Sequence, residues 1–382
     1  MNQRTIDEQT LKDWPIEKLR YVHLEMGLQC NVRCAMCYQT DFSPKSRLPE
    51  TVWRDRLLPT YRTAERLIIS GGEPTVIPGC RQLLELVTRD FSNLTLDTVT
   101  NGLLFRGLWV EAFLAQGHCV NFSINAANPK LYERIVQFGN YELATGNVDY
   151  MVRRKMETGS KVIVRISTVM TDDTAMHLPE FVQWGADHGL DEVLVFTDHV
   201  GQIRRFPPSK VRESIARAYE IGDANPQVRL VLLGEFDWHF SMLHGLTPVR
   251  PRAQTEAPNG PCPTAFDTLF VETDGVAKPC CKSWYMFGNL VHQSLMEVWN
   301  GKAAHRFRRR MLNLDFRDCL VACELNANPI DHRMATARKA YWAFRRDPKS
   351  AFAKGLRRLG FTSAQKRRAV TLSEGGTGKD EP

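Results

Sequence analysis

No stretch of this chain strings together the ~18 apolar residues that a membrane-crossing helix needs. Its opening residues, MNQRTIDEQTLKDWPIEKLR, mix acidic and basic side chains where an export signal would place an apolar core. These two absences predict a protein that stays in the cytoplasm. Internal repeats are missing as well, and only the closing TLSEGGTGKDEP reads as a disordered end. A net excess of positive charge is lacking outside one place: the net charge is +7, yet residues 326–382 alone carry 13 Lys and Arg against 5 Asp and Glu. The basic excess therefore belongs to a tail. A solvated helical surface is the plainer reading of that tail and nucleic acid the less favoured one.

Cysteine is not scarce. Ten cysteines in a 382-residue chain without an export signal point to metal rather than disulfides, because a reducing compartment keeps thiols free. A composition of 43% hydrophobic and 24% charged residues is that of a folded globular protein.

Between residues 21 and 197, short apolar runs alternate with amphipathic stretches, which is the pattern of repeated βα units and a parallel sheet. Strands are predicted at 21–28, 66–70, 95–100, 120–124, 161–169 and 192–197, with helices at 79–89, 108–116 and 178–188 among them. Six such units make an α/β fold of the partial (β/α)6 barrel type, whose chemistry gathers at the C-terminal ends of the strands. The predicted organisation is an N-terminal extension (1–20), the barrel (21–200) and a connecting region (201–258). In the connecting region a helix is predicted at 211–221 and a strand at 228–233. There follow a small hairpin-plus-helix domain (259–326) and the basic helical tail (327–382). In the small domain, FDTLFVETDGVAK places Asp274-Gly275 between two short strands, a hairpin signal.

Directly after the first predicted strand comes LQCNVRCAMCYQ, which sets Cys30, Cys34 and Cys37 in a CxxxCxxC arrangement on one loop. Three thiolates suit a four-iron cluster with one iron left open to a small molecule. The rival is a zinc site, but zinc favours paired CxxC elements with a fourth ligand close by, and this loop supplies none. After the second strand stands SGGEP, after the third Thr100-Asn101-Gly102, and at the outlet of the fourth Ser123 and Asn125.

In these residues the chain resembles the radical S-adenosylmethionine (SAM) superfamily. The resemblance implies a [4Fe–4S] cluster on Cys30, Cys34 and Cys37, with SAM chelating the open iron. One electron then cleaves SAM to a 5′-deoxyadenosyl radical, which abstracts a hydrogen atom from substrate. It further implies SAM contacts from Gly71, Gly72 and Glu73 of the glycine-rich segment, from Asn101, and from Ser123 and Asn125. Arg165 and Ser167 on the fifth strand suit the SAM carboxylate. Phe196 suits adenine, and His199 just beyond it faces either adenine or substrate. Met36, before the third cysteine, stands where many relatives carry an aromatic residue against adenine.

Five cysteines follow downstream: Cys262, Cys280, Cys281, Cys319 and Cys323. With the DG hairpin, the Pro279-Cys280 step and the GN, SL and EVW elements, residues 260–325 resemble the SPASM/twitch extensions of radical SAM barrels. Five cysteines are too few for two auxiliary clusters. The resemblance therefore implies one auxiliary [4Fe–4S] cluster on Cys262, Cys280, Cys319 and Cys323, with Cys281 a spare thiol and zinc again the rival. Cys280 and Cys281 are neighbours, and the PC step favours Cys280. Cys80 and Cys119 read as buried hydrophobes.

The resemblance implies a small polar substrate such as a sugar or aminocyclitol, undergoing dehydrogenation, epimerisation or dehydration. A maturase of a ribosomally made peptide is the alternative; only about 20 residues precede the first strand, too few for an N-terminal leader-binding domain. A non-catalytic electron-transfer protein is the third reading, which the SAM-pocket residues oppose. The expected reductant is a flavodoxin or ferredoxin.

Overall fold

The structure, a computed structural model, describes residues 11, 13–39, 41–197, 203–251, 261–319, 341 and 344. His199, Cys323 and nearly all of the basic tail lie outside these residues.

Six parallel strands form where the sequence pattern placed them: β1 (Tyr21–Glu25), β3 (Arg66–Ser70), β4 (Thr95–Thr100), β5 (Gly117–Phe122), β7 (Ile163–Met170) and β8 (Glu192–Thr197). Two short strands, β2 (Arg33–Cys34) and β6 (Val136–Gln137), pair with each other outside the main sheet. The alternation of side chains decides which face is which. Val22, Leu24, Leu67, Ile69, Leu96, Val120, Val164, Ile166, Val193 and Val195 are buried in the core shared with the surrounding helices. The opposite face, carrying His23, Asp97, Asn121, Arg165 and Phe196, turns inward to a lumen open enough that Val99 remains 42% exposed.

The sheet continues at both edges. β9 (Arg229–Val231) adds a seventh parallel strand beside β8, so the segment expected to be a mere connection contributes to the barrel wall. At the other edge β10 (Thr268–Val271) pairs in parallel with β1, and β11 (Val276–Lys278) and β12 (Gly288–Asn289) follow antiparallel. The hairpin predicted at Asp274-Gly275 is therefore an extension of the barrel sheet, with Gly275 taking the left-handed φ of +81° that the turn demands.

The helices Pro78–Asp90, Leu108–Gln116, Leu178–Asp187 and Pro208–Ala224 lie close to their predicted positions. Helices Pro129–Ile135 and Tyr141–Thr158 escaped the sequence reading although each is capped by an asparagine side chain, Asn128 and Asn140, accepting from a backbone N–H in the first turn. Cys80 and Cys119 are buried, as their apolar settings required.

Candidate functional site

The outlet of β1 is a layered set of loops. Met26 N–H donates to the Ser70 carbonyl at 2.8 Å, and Leu28 N–H donates to the Ser46 carbonyl at 2.8 Å. From the other side Gly72 N–H reaches the Gly27 carbonyl and Glu73 N–H the Gln29 carbonyl, each at 2.9 Å. Glycine is required here for clearance: a Cβ on Gly71 would stand 2.4 Å from the Gly27 oxygen, and one on Gly72 2.3 Å from the Gln29 oxygen. The SGGEP segment thus packs directly against the residues that lead into Cys30.

The thiol loop is held from its far side by β2. Cys34 pairs with Val136 on β6, Ala35 N–H donates to the Ile135 carbonyl at 2.8 Å, and Cys37 N–H closes a turn onto the Cys34 carbonyl at 3.0 Å. Arg33 clasps the loop, donating to the carbonyls of Cys30 at 2.9 Å and Val32 at 2.8 Å while its guanidinium lies 3.8 Å from the centre of the Phe42 ring. Cys30 and Cys34 are half-buried and Cys37 is exposed. Burial pushes the Cys34 thiol up to about 12, and the neighbouring Cys37 and Cys30 add to the shift. Cys30 moves the same way, chiefly through burial. Three mutually repelling thiols at one opening call for a cationic group to bind as thiolates. Three thiols from one loop are the donor set of a four-iron cluster with one iron left open.

Glu73 is the buried strut of the site. Its carboxylate accepts from Thr75 N–H at 3.1 Å, Thr75 Oγ1 at 2.6 Å, Thr100 Oγ1 at 2.7 Å and Asn101 N–H at 2.6 Å, joining the β3 outlet to that of β4. Asn101 in turn donates through Nδ2 to Asn31 Oδ1 at 2.7 Å, which ties the β4 outlet to the thiol loop. Asn31 carried no signal in the sequence beyond its place next to Cys30. Ser123 and Asn125 lie just past β5. Asn125 holds a left-handed φ of +62°, and its N–H donates to the Ser167 carbonyl at 2.9 Å. Gly71, Gly72, Glu73, Asn101, Ser123, Asn125 and Ser167 therefore line one outlet around the thiols. Phe196 ends its strand on the same inward face, and Met36 packs half-buried against the core.

Arg165 is placed elsewhere. It lies near the start of β7, level with Glu192, and its Nε donates to that carboxylate at 2.6 Å, with Arg229 on the other oxygen at 2.8 Å. An arginine so engaged, in register with Asn121 and one inward-facing position before Ser167, has its guanidinium taken up by a carboxylate of the barrel wall. The alternation of a strand shows which face a residue takes but not which cross-strand partner it meets.

In the C-terminal domain the turn after β11 presents Cys280 and Cys281. The isolated bridge between Ser283 and Cys319, with Trp284 N–H donating to the Asp318 carbonyl at 2.9 Å, draws Cys319 back to that turn. Arg310 holds the closing segment through Asp315 at 3.1 Å and through Asp318. Cys262 is buried at the start of the domain, its sulfur 3.1 Å from Thr264 Oγ1.

Two exposed aromatics flank the thiol loop and were not singled out in the sequence. Tyr38 directly follows Cys37 and is 84% exposed, yet crowding by the surrounding walls, with help from the charges of Glu25, Cys281, Cys37 and Glu272, pushes its hydroxyl up to about 12. Those charges come from both the thiol loop and the C-terminal domain, so Tyr38 stands between the two. Phe138, next after β6, is 79% exposed and holds a φ of +65°.

Comparison with known proteins matches residues 24–185 to the radical SAM superfamily and residues 262–324 to SPASM, an iron–sulfur cluster-binding domain. Among curated proteins the chain is similar to a GTP 3′,8-cyclase of Brucella abortus, 24% identical over 219 residues, covering 53% of this chain and 61% of that protein. The chain thus spans less than two thirds of the curated relatives' length. Among solved structures it is similar to Streptococcus suis SuiB bound to precursor peptide SuiA, with a TM-score of 0.57 at 15% identity over 80% of this chain and 72% of that one. It is also similar to anSMEcpe with bound AdoMet and Cp18Cys peptide, with a TM-score of 0.55 at 16% identity over 87% of this chain and 99% of that one. The partial barrel, the thiol loop at its outlet and the C-terminal hairpin domain agree with both matches: residues 24–185 carry a radical SAM superfamily domain, whose cofactors are SAM and a [4Fe–4S] cluster, and residues 262–324 carry a SPASM iron–sulfur cluster-binding domain.

Proposed function

We propose that this enzyme abstracts a hydrogen atom from a residue of a peptide or protein segment, in place of the sugar or aminocyclitol that the sequence led us to expect. The observation that carries the reading is a pair of exposed aromatics beside the thiol loop, Tyr38 directly after Cys37 and Phe138 directly after the strand that pairs with that loop. Large rings held exposed at an opening suit an extended, partly apolar chain better than a small polyol. The left-handed backbone at Phe138 supports it, since strain of about 1–2 kcal/mol at a non-glycine residue is a feature of functional sites. The two peptide-bound structural relatives support the same substrate class.

When bound, the cluster supplies the electron that cleaves SAM. The chain's own residues do the rest. Cys30, Cys34 and Cys37 hold the cluster, and Gly71 and Gly72 allow the loops to close on it. Glu73 and Asn101 fix those loops, and Ser123, Asn125, Ser167, Met36 and Phe196 surround the SAM position. Cys262, Cys280, Cys319 and Cys323 are proposed for the auxiliary cluster, and a flavodoxin or ferredoxin as the reductant.

The test is anaerobic reconstitution followed by assay of 5′-deoxyadenosine with SAM and dithionite. Short peptides encoded beside the gene are compared with sugars and aminocyclitols as substrates. The reading expects peptide-dependent 5′-deoxyadenosine with a matching mass change in the peptide, and loss of both in Cys34→Ala. Stimulation by a sugar alone would refute the peptide assignment, and cleavage persisting in Cys34→Ala would refute the cluster ligands.

A further inference from the structure

One inward-facing position below the outlet, two polar side chains have hydrogen-bonding capacity that the described protein does not use. On β1, His23 lies two residues before Glu25. Ser70 Oγ donates to the Leu24 carbonyl at 3.1 Å, so in its 2.7 Å contact with His23 Nε2 it must accept. This fixes the proton on Nε2 and leaves Nδ1 as an acceptor. On β5, Asn121 lies two residues before Ser123, and its buried Oδ1 has no hydrogen-bond partner. Both belong to the inward face, since Val22, Leu24, Val120 and Phe122 pack on the outer side.

The charges in and above this layer are already paired. In strand register with His23, Asp97 takes His118 at 2.8 Å and Arg66 at 3.6 Å; in register with Asn121, Arg165 is held by Glu192, which also takes Arg229. Above it Glu25 accepts from Thr273 N–H at 3.4 Å, and Glu272 pairs with Lys278 at 2.6 Å. The aromatic edge of Phe270, 4.8 Å from His23, completes one wall. A buried amide oxygen without a partner is costly to keep unless a ligand supplies the donor.

We propose that His23 and Asn121 form a recognition pair in the barrel lumen that accepts hydrogen bonds from an uncharged polar group of the substrate, a hydroxyl or a carboxamide. Among the described residues the charges at this level are paired with one another, which leaves none to neutralise an ammonium or a carboxylate. The choice of a side chain as the carrier of that group rests on the peptide reading above; the pair itself does not. Burial also pushes the imidazole down to about 4, which keeps it a neutral acceptor at working pH.

The experiment compares wild type, His23→Phe and Asn121→Leu on peptides that differ at the reacting residue, with Ser, Thr, Asn or Gln set against Ala, Leu, Asp or Lys. Sugars and their deoxy analogues are run beside them. The expected result is a wild-type preference in kcat/KM of about tenfold or more for the hydroxyl or carboxamide peptides, since each such bond is equivalent to about that factor. Either substitution should abolish the preference, mainly through KM. A preference that survives both substitutions overturns the pair while leaving the peptide reading intact. Turnover of sugars alone overturns the peptide reading and transfers the same comparison to the deoxy analogues. A second measurement needs no substrate: Asn121→Leu should raise the Tm of the reconstituted enzyme, because an amide kept for a ligand stabilises nothing without it. A fall in Tm would assign Asn121 a structural role and overturn the proposal.

Discussion

Glu73 sits in the fold with four donors around two oxygens, and no neutral side chain can take all four. In Glu73→Gln the amide would turn an N–H toward either Asn101 N–H or the Thr75 and Thr100 group. The expected cost is about 1–3 kcal/mol in urea denaturation, the range for leaving a buried polar group unmatched. A variant as stable as wild type would show that the loops close without this strut. His23 gives the same scale a pH dependence. Its imidazole is pushed from 6.5 down to about 4 by burial, so the unfolded chain takes up that proton first. Stability from this group is therefore complete above pH 6.5 and drains as pH falls toward 4. Between about pH 7 and about pH 5, wild type should lose about 1–2 kcal/mol more than His23→Phe. Equal slopes would contradict the assignment. His23 was not legible beforehand, since a lone histidine among apolar strand residues reads as core. The three cysteines of one loop were legible because their spacing is itself the chemistry.

At the scale of elements, the outlet depends on loops packing backbone to backbone. The expected outcome for Gly72→Ala is a sheet with unchanged far-ultraviolet circular dichroism but a thiol loop that no longer seats. The Cβ would meet the Gln29 carbonyl at 2.3 Å, and backbone cannot yield as a flexible side chain does. Reconstituted Gly72→Ala should lose about four irons per chain, those of the SAM-binding cluster. Iron content equal to wild type would show that the loop can shift without harm. This element was half legible. SGGEP announced a glycine-rich outlet, but the partner it approaches so closely is residues 27–29, because the need for glycine comes from a loop some 45 residues earlier in the chain. Arg165 failed for a related reason. Strand alternation correctly gave its face, whereas the carboxylate that engages it follows from register with Glu192, which no local pattern encodes.

Across the whole molecule, the C-terminal domain is joined to the barrel by its sheet. β10 runs parallel to β1 over the register Tyr21 to Leu24, Trp14 Nε1 donates to the Phe266 carbonyl at 2.7 Å, and Arg20 N–H donates to the Asp267 carbonyl at 2.9 Å. The sequence announced a hairpin there but not its partner strand, since pairing between residues some 250 apart is a property of the closed fold. A boundary near residue 258 is therefore a poor place to divide this protein. A chain ending at 258 would leave β1 as an open edge flanked by Trp14 and Leu19, both buried in the intact fold. Unpaired strand edges with apolar surroundings associate with other chains. Such a truncation should accumulate as aggregate, or elute as oligomers in size-exclusion chromatography, under conditions where the full chain does not. Its Tm, if a soluble fraction is recovered, should fall by several degrees, because a parallel strand and its buried tryptophan contact are lost together. A monomeric truncation with the Tm of the full chain would show instead that β10 is an appendage and that the barrel closes its own edge.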